Sequence, residues 1–235
     1  MPPSQSPFQP PHRRPDPARL ANAQTWVFDL DNTLYSGAHG LFDQIDHRMC
    51  GYLAHFLDID RAQAHRVQKQ YFRQYGTTLR GMMINHDMDP KPYLDHVHDV
   101  DLSAIPLDPD LHRALERLAG RKVIFTNADT GHAQRVLDQL GIGDHFDAIF
   151  DIIEAEYIPK PEPQIYDTLI QRLRIDPNTA VMVEDIARNL EPAAARGMAT
   201  VWVRPISDCE VCTQAPGGDY VDFETDNLVT WLQAL

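Results

Sequence analysis

The chain has only three cysteines in 235 residues, Cys50, Cys209 and Cys212. An odd number this small does not make a disulfide framework. No apolar run approaches the roughly 20 residues that a membrane-spanning helix needs. The N-terminal stretch has no apolar segment of the kind a secretory signal carries. These absences set the expectation of a cytoplasmic protein with no membrane partner. Positive charge is also scarce: 21 Lys and Arg against 34 Asp and Glu leave a formal charge of −13 at pH 7. Nucleic-acid backbones reward clustered Lys and Arg, so a nucleic acid polymer is not an expected partner. A small anion remains admissible, because a metal ion and one or two lysines can make a pocket locally positive. Cys209-Glu210-Val211-Cys212 has no second pair to complete a four-ligand zinc site and reads as loop. No internal repeat is present.

Apolar residues make up 43% of the chain, enough for a core of ordinary size. Residues 1–22 hold Pro2, Pro3, Pro7, Pro10, Pro11, Pro15 and Pro17 among polar residues and read as a disordered or loosely docked tail. Beyond it, five short apolar runs recur: Trp26-Val27-Phe28, Val123-Ile124-Phe125, Ala148-Ile149-Phe150, Val181-Met182-Val183 and Val201-Trp202-Val203. They are too short for buried helices and rich in β-branched and aromatic residues, so they read as buried strands. Helical spacing follows at Ala133, Val136, Leu137, Leu140 and at Ile165, Leu169, Leu173. Pro192 opens a further short helix that Gly197 stops, and Leu228, Val229, Leu232 close the chain in another. Residues 207–219 read as loop. The alternation predicts an α/β, doubly wound, Rossmann-like parallel sheet covered by helices on both faces.

One interval breaks the alternation. More than ninety residues separate the first two strands, and they carry helical patterns at Leu41, Ile45, Met49, Leu53, Phe56, at Ala64, Val67, Tyr71, Tyr75, and from Pro90 toward Val97. Residues 36–104 therefore read as a helical cap inserted after the first strand, with 23–35 and 105–235 forming the core. Ligands of open α/β sheets bind at the carboxyl ends of the strands, so an insertion leaving that edge is placed as a lid. Tyr71 and Phe72 read as packing, and His86, His96 and His98 as surface residues.

The strand ends carry the chemistry. Asp29 and Asp31 follow Trp26-Val27-Phe28, with Asn32 and Thr33 behind them. Carboxylates this close raise each other's pKa unless a cation lies between them. A surface turn, a structural metal site and a catalytic site all fit the pair alone. The other strand ends favour the last: Thr126-Asn127, Lys160 between Pro159 and Pro161, and Glu184-Asp185 reach the same rim.

In order and in apolar leads this set resembles the haloacid dehalogenase superfamily of phosphohydrolases, across residues 25–205. The run from Phe28 to Tyr35 and the segment 75–81 are similar to its pyrimidine 5′-nucleotidase branch. The resemblance implies a phosphomonoester hydrolase with Asp29 as nucleophile and Asp31 as general acid and base. It implies Thr126, the Asn127 amide and Lys160 on the phosphoryl group. Magnesium would be held by Asp29, the Asp31 backbone carbonyl and Asp185, with Glu184 a further candidate and Asn189 bracing the site. The expected substrate is a small phosphorylated molecule, a pyrimidine nucleoside 5′-monophosphate, read by the cap through Tyr75, Thr77, Thr78 and Arg80. A phosphosugar phosphatase shares the same core chemistry. A dehalogenase would lack the acid at Asp31, and an inert binding protein on this fold would have lost one of Asp29, Asp31, Lys160 or Asp185.

Overall fold

The computed structural model describes residues 16–205 and 218–235. Strand β1 (Thr25–Phe28) is followed by helices α2 (Leu41–Leu57), α3 (Arg61–Tyr75), α4 (Thr78–His86) and α5 (Pro90–Val97), after a short α1 (Pro17–Ala21). The chain then alternates through α6 (Pro109–Arg117), β2 (Arg121–Phe125), α7 (Thr130–Leu140), β3 (Ala148–Phe150), α8 (Pro163–Leu173), β4 (Ala180–Glu184), α9 (Glu191–Ala195) and β5 (Ala199–Val203). It ends on β6 (Phe223–Thr225) and α10 (Leu228–Gln233). The strands form one six-stranded sheet in the order β3-β2-β1-β4-β5-β6, and every neighbouring pair is parallel. The expected doubly wound α/β architecture is therefore the observed one.

The strands read as unbroken apolar runs because both faces of the sheet are covered. Side chains alternate between two cores: Trp26 and Phe28 pack with Ile124, Val181 and Val183, whereas Val27 packs with Val123, Phe125 and Met182 on the other face. Each of these fully buried side chains is worth about 1.5–3 kcal/mol relative to exposure. The topology reverses direction between β1 and β4. That opens a crevice where their carboxyl ends diverge, and it is there that open sheets bind ligands.

Several elements differ from the sequence reading. Residues 17–21, expected in the tail, are helical: Asp16 caps the Ala18 N–H, Pro17 sits in the first turn, and Arg19 pairs with Asp222 at 3.2 Å. Proline density hid this helix, although Pro at a first helical position is favourable. Residues 1–15 of the expected tail and residues 207–217 of the expected loop, with Cys209 and Cys212, lie outside the described residues. Helix α6 and strand β6 were not read from the sequence, β6 because three residues carry almost no periodic signal. Helix α4 was not read from the sequence either, and it takes up the second half of segment 75–81. Thr77 caps it through the Arg80 N–H.

Helices α2 to α5 gather their own core of Leu53, Ala64, Leu79, Met82, Tyr93, Leu94 and Val97. Ile152, which follows β3, inserts into that cluster, and Leu41 and Ile45 of α2 belong to the main core. The insertion is thus seated on the sheet domain by apolar contacts at two places. Gly81 lies where α3 meets α4, and a Cβ there would stand 2.4 Å from Tyr71 Cγ and 2.5 Å from Tyr71 Cβ. Gly51, inside α2, faces only the end of the Arg61 side chain at 3.7 Å. Gly81→Ala is expected to destabilise the protein by about 1–3 kcal/mol, since the helices must separate. Gly51→Ala should stabilise it by roughly 0.5–1 kcal/mol through helix propensity and chain entropy. Denaturant unfolding of the two variants checks the opposite signs, and equal signs would refute the assigned packing.

Candidate active site

The loop leaving β1 is built by local chemistry. Asp29 N–H still pairs with the Val183 carbonyl at 2.9 Å, and the chain then turns back, with Thr33 and Leu34 N–H groups both on the Leu30 carbonyl. Asn32 takes φ 61°, a left-handed conformation that asparagine tolerates better than most residues. The turn brings the Thr33 hydroxyl onto Asp29 Oδ2 at 2.9 Å. It also brings the Tyr35 hydroxyl onto Asp31 Oδ1 at 2.6 Å.

Lys160 is the organising cation. Its buried Nζ lies 2.6 Å from Asp29 Oδ1, 2.7 Å from Glu184 Oε2 and 2.9 Å from the Phe125 carbonyl, which uses all three of its donors. Asn127 fixes the loop that carries it, accepting the Lys160 N–H on Oδ1 at 2.9 Å. Burial alone would lower the Lys160 pKa, but the charges of Asp29 and Glu184 raise it above its ordinary value, so the ammonium stays protonated. Thr126 is buried, and its hydroxyl accepts the Ala128 N–H at 3.0 Å.

Asp29, Glu184 and Asp185 are all buried and present carboxylate oxygens within 4.8 Å of one another. Burial, with the charge of Glu184, pushes Asp29 up to about 7 despite Lys160, and burial with Glu184 and Asp29 raises Asp185 well above the carboxylate range. One ammonium does not neutralise three carboxylates, so the donor set fits a hard divalent cation taking oxygen ligands. Asn189, buried four residues past Asp185, leaves its Oδ1 without a partner among the described residues, a further oxygen in the same region. Glu184 spends Oε2 on Lys160 and Oε1 on the Ile186 N–H (3.2 Å), so its first task is to hold the lysine.

Asp31 is held differently. Burial would raise its pKa, but the charge and hydrogen bond of His132 and the hydroxyl of Tyr35 outweigh that and hold it below the usual value. His132 Nε2 lies 3.1 Å from Asp31 Oδ1, and the His132 ring stacks on His98 at a centroid distance of 4.5 Å. His98 is thus not a surface residue: it is buried and its Nδ1 bonds the Asp129 carboxylate. His132 and Asp129 escaped the sequence reading. The available signal was position, because His132 directly precedes Ala133 on the buried face of α7, where a solvated histidine has no place.

The segment 75–81 is only partly as expected. Thr78 is buried inside the helical insertion and donates to the Gln68 carbonyl at 3.3 Å, which removes it from the groups available to a ligand. Thr77 is committed to capping α4, and Gly81 to packing on Tyr71. Tyr75 and Arg80 remain half-buried. Gly76 touches the core at the site itself, since a Cβ there would lie 3.1 Å from the Lys160 carbonyl and 3.2 Å from Pro159 Cγ. Phe72 lies under the Arg188 guanidinium at 5.1 Å, so it packs, as expected, but against the core.

A model of the haloacid dehalogenase-like hydrolase family matches residues 24–197. Phosphate metabolism protein 8 of Saccharomyces cerevisiae is 29% identical over 92% of this chain and 67% of its own length. The phosphoglycolate phosphatase of Mesorhizobium japonicum is 28% identical over 75% of this chain and 81% of its own. In fold, the crystal structure of a HAD phosphatase from Thermococcus onnurineus superposes with a TM-score of 0.60 at 20% identity, covering 90% of this chain and 97% of that one.

Crowded carboxylates make a prediction that needs no turnover assay. Magnesium chloride is expected to raise the melting temperature, by about 2.7 kcal/mol of stability at a hundredfold excess over Kd. Asp185→Asn should melt higher than the wild type in chelator, because it removes a carboxyl whose ionisation the buried, acidic site opposes, yet lose the magnesium-dependent rise. Differential scanning fluorimetry across a magnesium titration reads both, and an undiminished rise in the variant would exclude Asp185 as a ligand.

Proposed function

This chain belongs to the haloacid dehalogenase-like hydrolase family, and from that premise we propose that it is a phosphomonoester hydrolase working through an aspartyl-phosphate on Asp29. The observation that carries this reading is the unequal treatment of two carboxylates on one loop. Asp29 is clamped by Lys160 and Thr33, whereas Asp31 is clamped by His132 and Tyr35. Two carboxylates in different surroundings can take two roles.

In the proposed reaction an Asp29 carboxylate oxygen attacks phosphorus and the bond to the leaving alkoxide breaks. Lys160 and Thr33 aim Asp29, so little reorientation is needed at the moment of attack. Asp31 gives its proton to the departing oxygen. It then takes a proton from the water that attacks the aspartyl-phosphate, releasing inorganic phosphate and free Asp29. The bound phosphoryl group brings negative charge beside Asp31 and raises its proton affinity, which favours the acid form for the first step. Thr126 and the Asn127 amide are assigned to the phosphoryl oxygens, and Lys160, whose three donors are spent on Asp29, Glu184 and the Phe125 carbonyl, lends them its charge rather than a hydrogen bond. Magnesium, held by Asp29, Asp185 and the Asp31 carbonyl, would supply neutralisation of the phosphate charge.

We assign the substrate as a pyrimidine nucleoside 5′-monophosphate. The resemblance of the run from Phe28 to Tyr35 and of segment 75–81 supports it, together with the contact of Gly76 on Pro159 and Lys160. With Thr77, Thr78 and Gly81 committed elsewhere, Arg80 is the group proposed to meet the base.

Asp29→Asn is expected to abolish steady-state phosphate release while the protein remains folded by circular dichroism. Asp31→Asn should still release p-nitrophenol in a single burst, since that leaving group needs no proton. Sustained turnover by Asp29→Asn would defeat the proposed nucleophile.

Selectivity is tested by comparing UMP with AMP, UMP being the expected better substrate. Arg80→Ala should cost on the order of 1 kcal/mol in kcat/KM on UMP through a lost hydrogen bond, and little on p-nitrophenyl phosphate. Equal rates on UMP and AMP would point instead to a phosphosugar or other small phosphomonoester.

A further inference from the structure

Asp31 offers two carboxylate oxygens, and the structure treats them unequally. Both neighbouring donors, the Tyr35 hydroxyl at 2.6 Å and His132 Nε2 at 3.1 Å, converge on Oδ1. Among the described residues no group engages Oδ2, and the Asp31 side chain keeps 20% of its exposure. A carboxyl whose one oxygen is saturated by two donors carries its proton on the other. Tyr35 and His132 therefore select the oxygen that exchanges a proton and stop the carboxyl from rotating.

His132 is itself held in an unusual way. It is fully buried, and its Nδ1 has no partner among the described residues. A histidine serving only to fill space or cap a helix gains nothing from an unsatisfied buried nitrogen. Here the ring is oriented by Asp31 at one edge and by the face of His98, stacked at 4.5 Å and 24° between planes. His98 follows α5 directly, at the exit of the helical insertion. Its ring is fixed by the Asp129 carboxylate and its carbonyl accepts from Arg135 of α7. The same Asp129 accepts the His132 N–H at 2.8 Å on its other oxygen, so the two rings share one anchor.

We propose that Tyr35 and His132 are positioning residues for proton transfer at Asp31 Oδ2, and that the His98–Asp129 pair ties this geometry to the exit of the helical insertion. The proposal rests on the phosphatase reading above, since it assigns Asp31 a proton to move. The insertion is thereby mechanically linked to the acid and base as well as covering the site. When α5 and its following residue sit in the observed place, the His98 face holds His132 against Asp31. A displaced insertion would take that support away.

The test separates the two half-reactions with His132→Ala, His132→Gln, His98→Ala and Tyr35→Phe. In single-turnover experiments with magnesium, p-nitrophenyl phosphate reports phosphoenzyme formation without need of an acid, and phosphate release reports its hydrolysis. UMP, whose leaving alkoxide needs a proton, reports the acid step. His132→Ala is expected to hold the p-nitrophenol burst within about threefold but to slow phosphate release and uridine release about tenfold or more. His98→Ala should give the same pattern more weakly. His132→Gln, which restores an N–H donor, should recover part of the loss. A purely structural role would lower all steps alike, and equal losses on both substrates, or none, would overturn the proposal. Should His132→Ala fail to fold, Tyr35→Phe deletes one hydroxyl from the same oxygen without changing the packing and must show the same selective loss. Wild-type protein that releases phosphate from neither substrate would overturn the phosphatase reading, and this inference with it.

Discussion

A single buried ammonium among buried carboxylates is the constraint on which the structure turns. Lys160 reaches Asp29, Glu184 and the Phe125 carbonyl at once, and it leaves Asp185 without a cation of its own among the described contacts. Removing Lys160 from such a buried cluster costs about 3–5 kcal/mol, because the carboxylates it holds are then stranded. Keeping all of them leaves the site with more negative than positive charge. That imbalance costs stability and makes the carboxylate cluster a donor set suited to a divalent cation.

The fold supplies what this cluster needs. A sheet buried on both faces is stiff, and its six parallel strands end on one rim, where β1 to β4 deliver the site residues. Because β1 lies between β2 and β4, Asp29 stands next to Thr126 on one side and Glu184 and Asp185 on the other. Lys160 comes from the loop after β3, two strands away, and crosses to Asp29 only because its side chain is long and its backbone is pinned by Asn127. The apolar layers beneath hold these ends still, and the polar contacts above them then cost little to arrange.

The helical insertion is coupled to this rim at several separate places. Ile152 enters its core from below, Gly76 rests on Pro159 and Lys160, Phe72 lies under Arg188, and His98 stacks on His132. The first contact is apolar and insensitive to small shifts. The others involve residues that touch or adjoin the charged cluster, so the insertion's position and the site's geometry depend on each other. A family in which one sheet serves many substrates can then vary the insertion while the sheet edge stays the same.

The sequence by itself determined the sheet and the identity of the charged groups. Short runs rich in β-branched and aromatic residues between helical patterns read as strands by their length and composition; Asp29, Asp31, Thr126 and Asp185 follow such runs closely, and Lys160 lies in the loop after β3. The over-long first interval likewise located an insertion. Only the tertiary structure decided who touches whom. Glu184 proved to be an anchor for Lys160, Thr78 proved to face the interior of the insertion, and His98 left the surface for Asp129. Nothing local marks these outcomes, because His98 and His132 are 34 positions apart in sequence and meet only when the residue after α5 reaches the start of α7. Helix α4 was hidden for a related reason: glycine lowers helix propensity, yet Gly81 is helical because Tyr71 of α3 needs the space a side chain would fill. Local pattern fixes which groups exist at a strand end, whereas a hydrogen bond or ring contact depends on packing between distant elements, and packing is not written in any one segment.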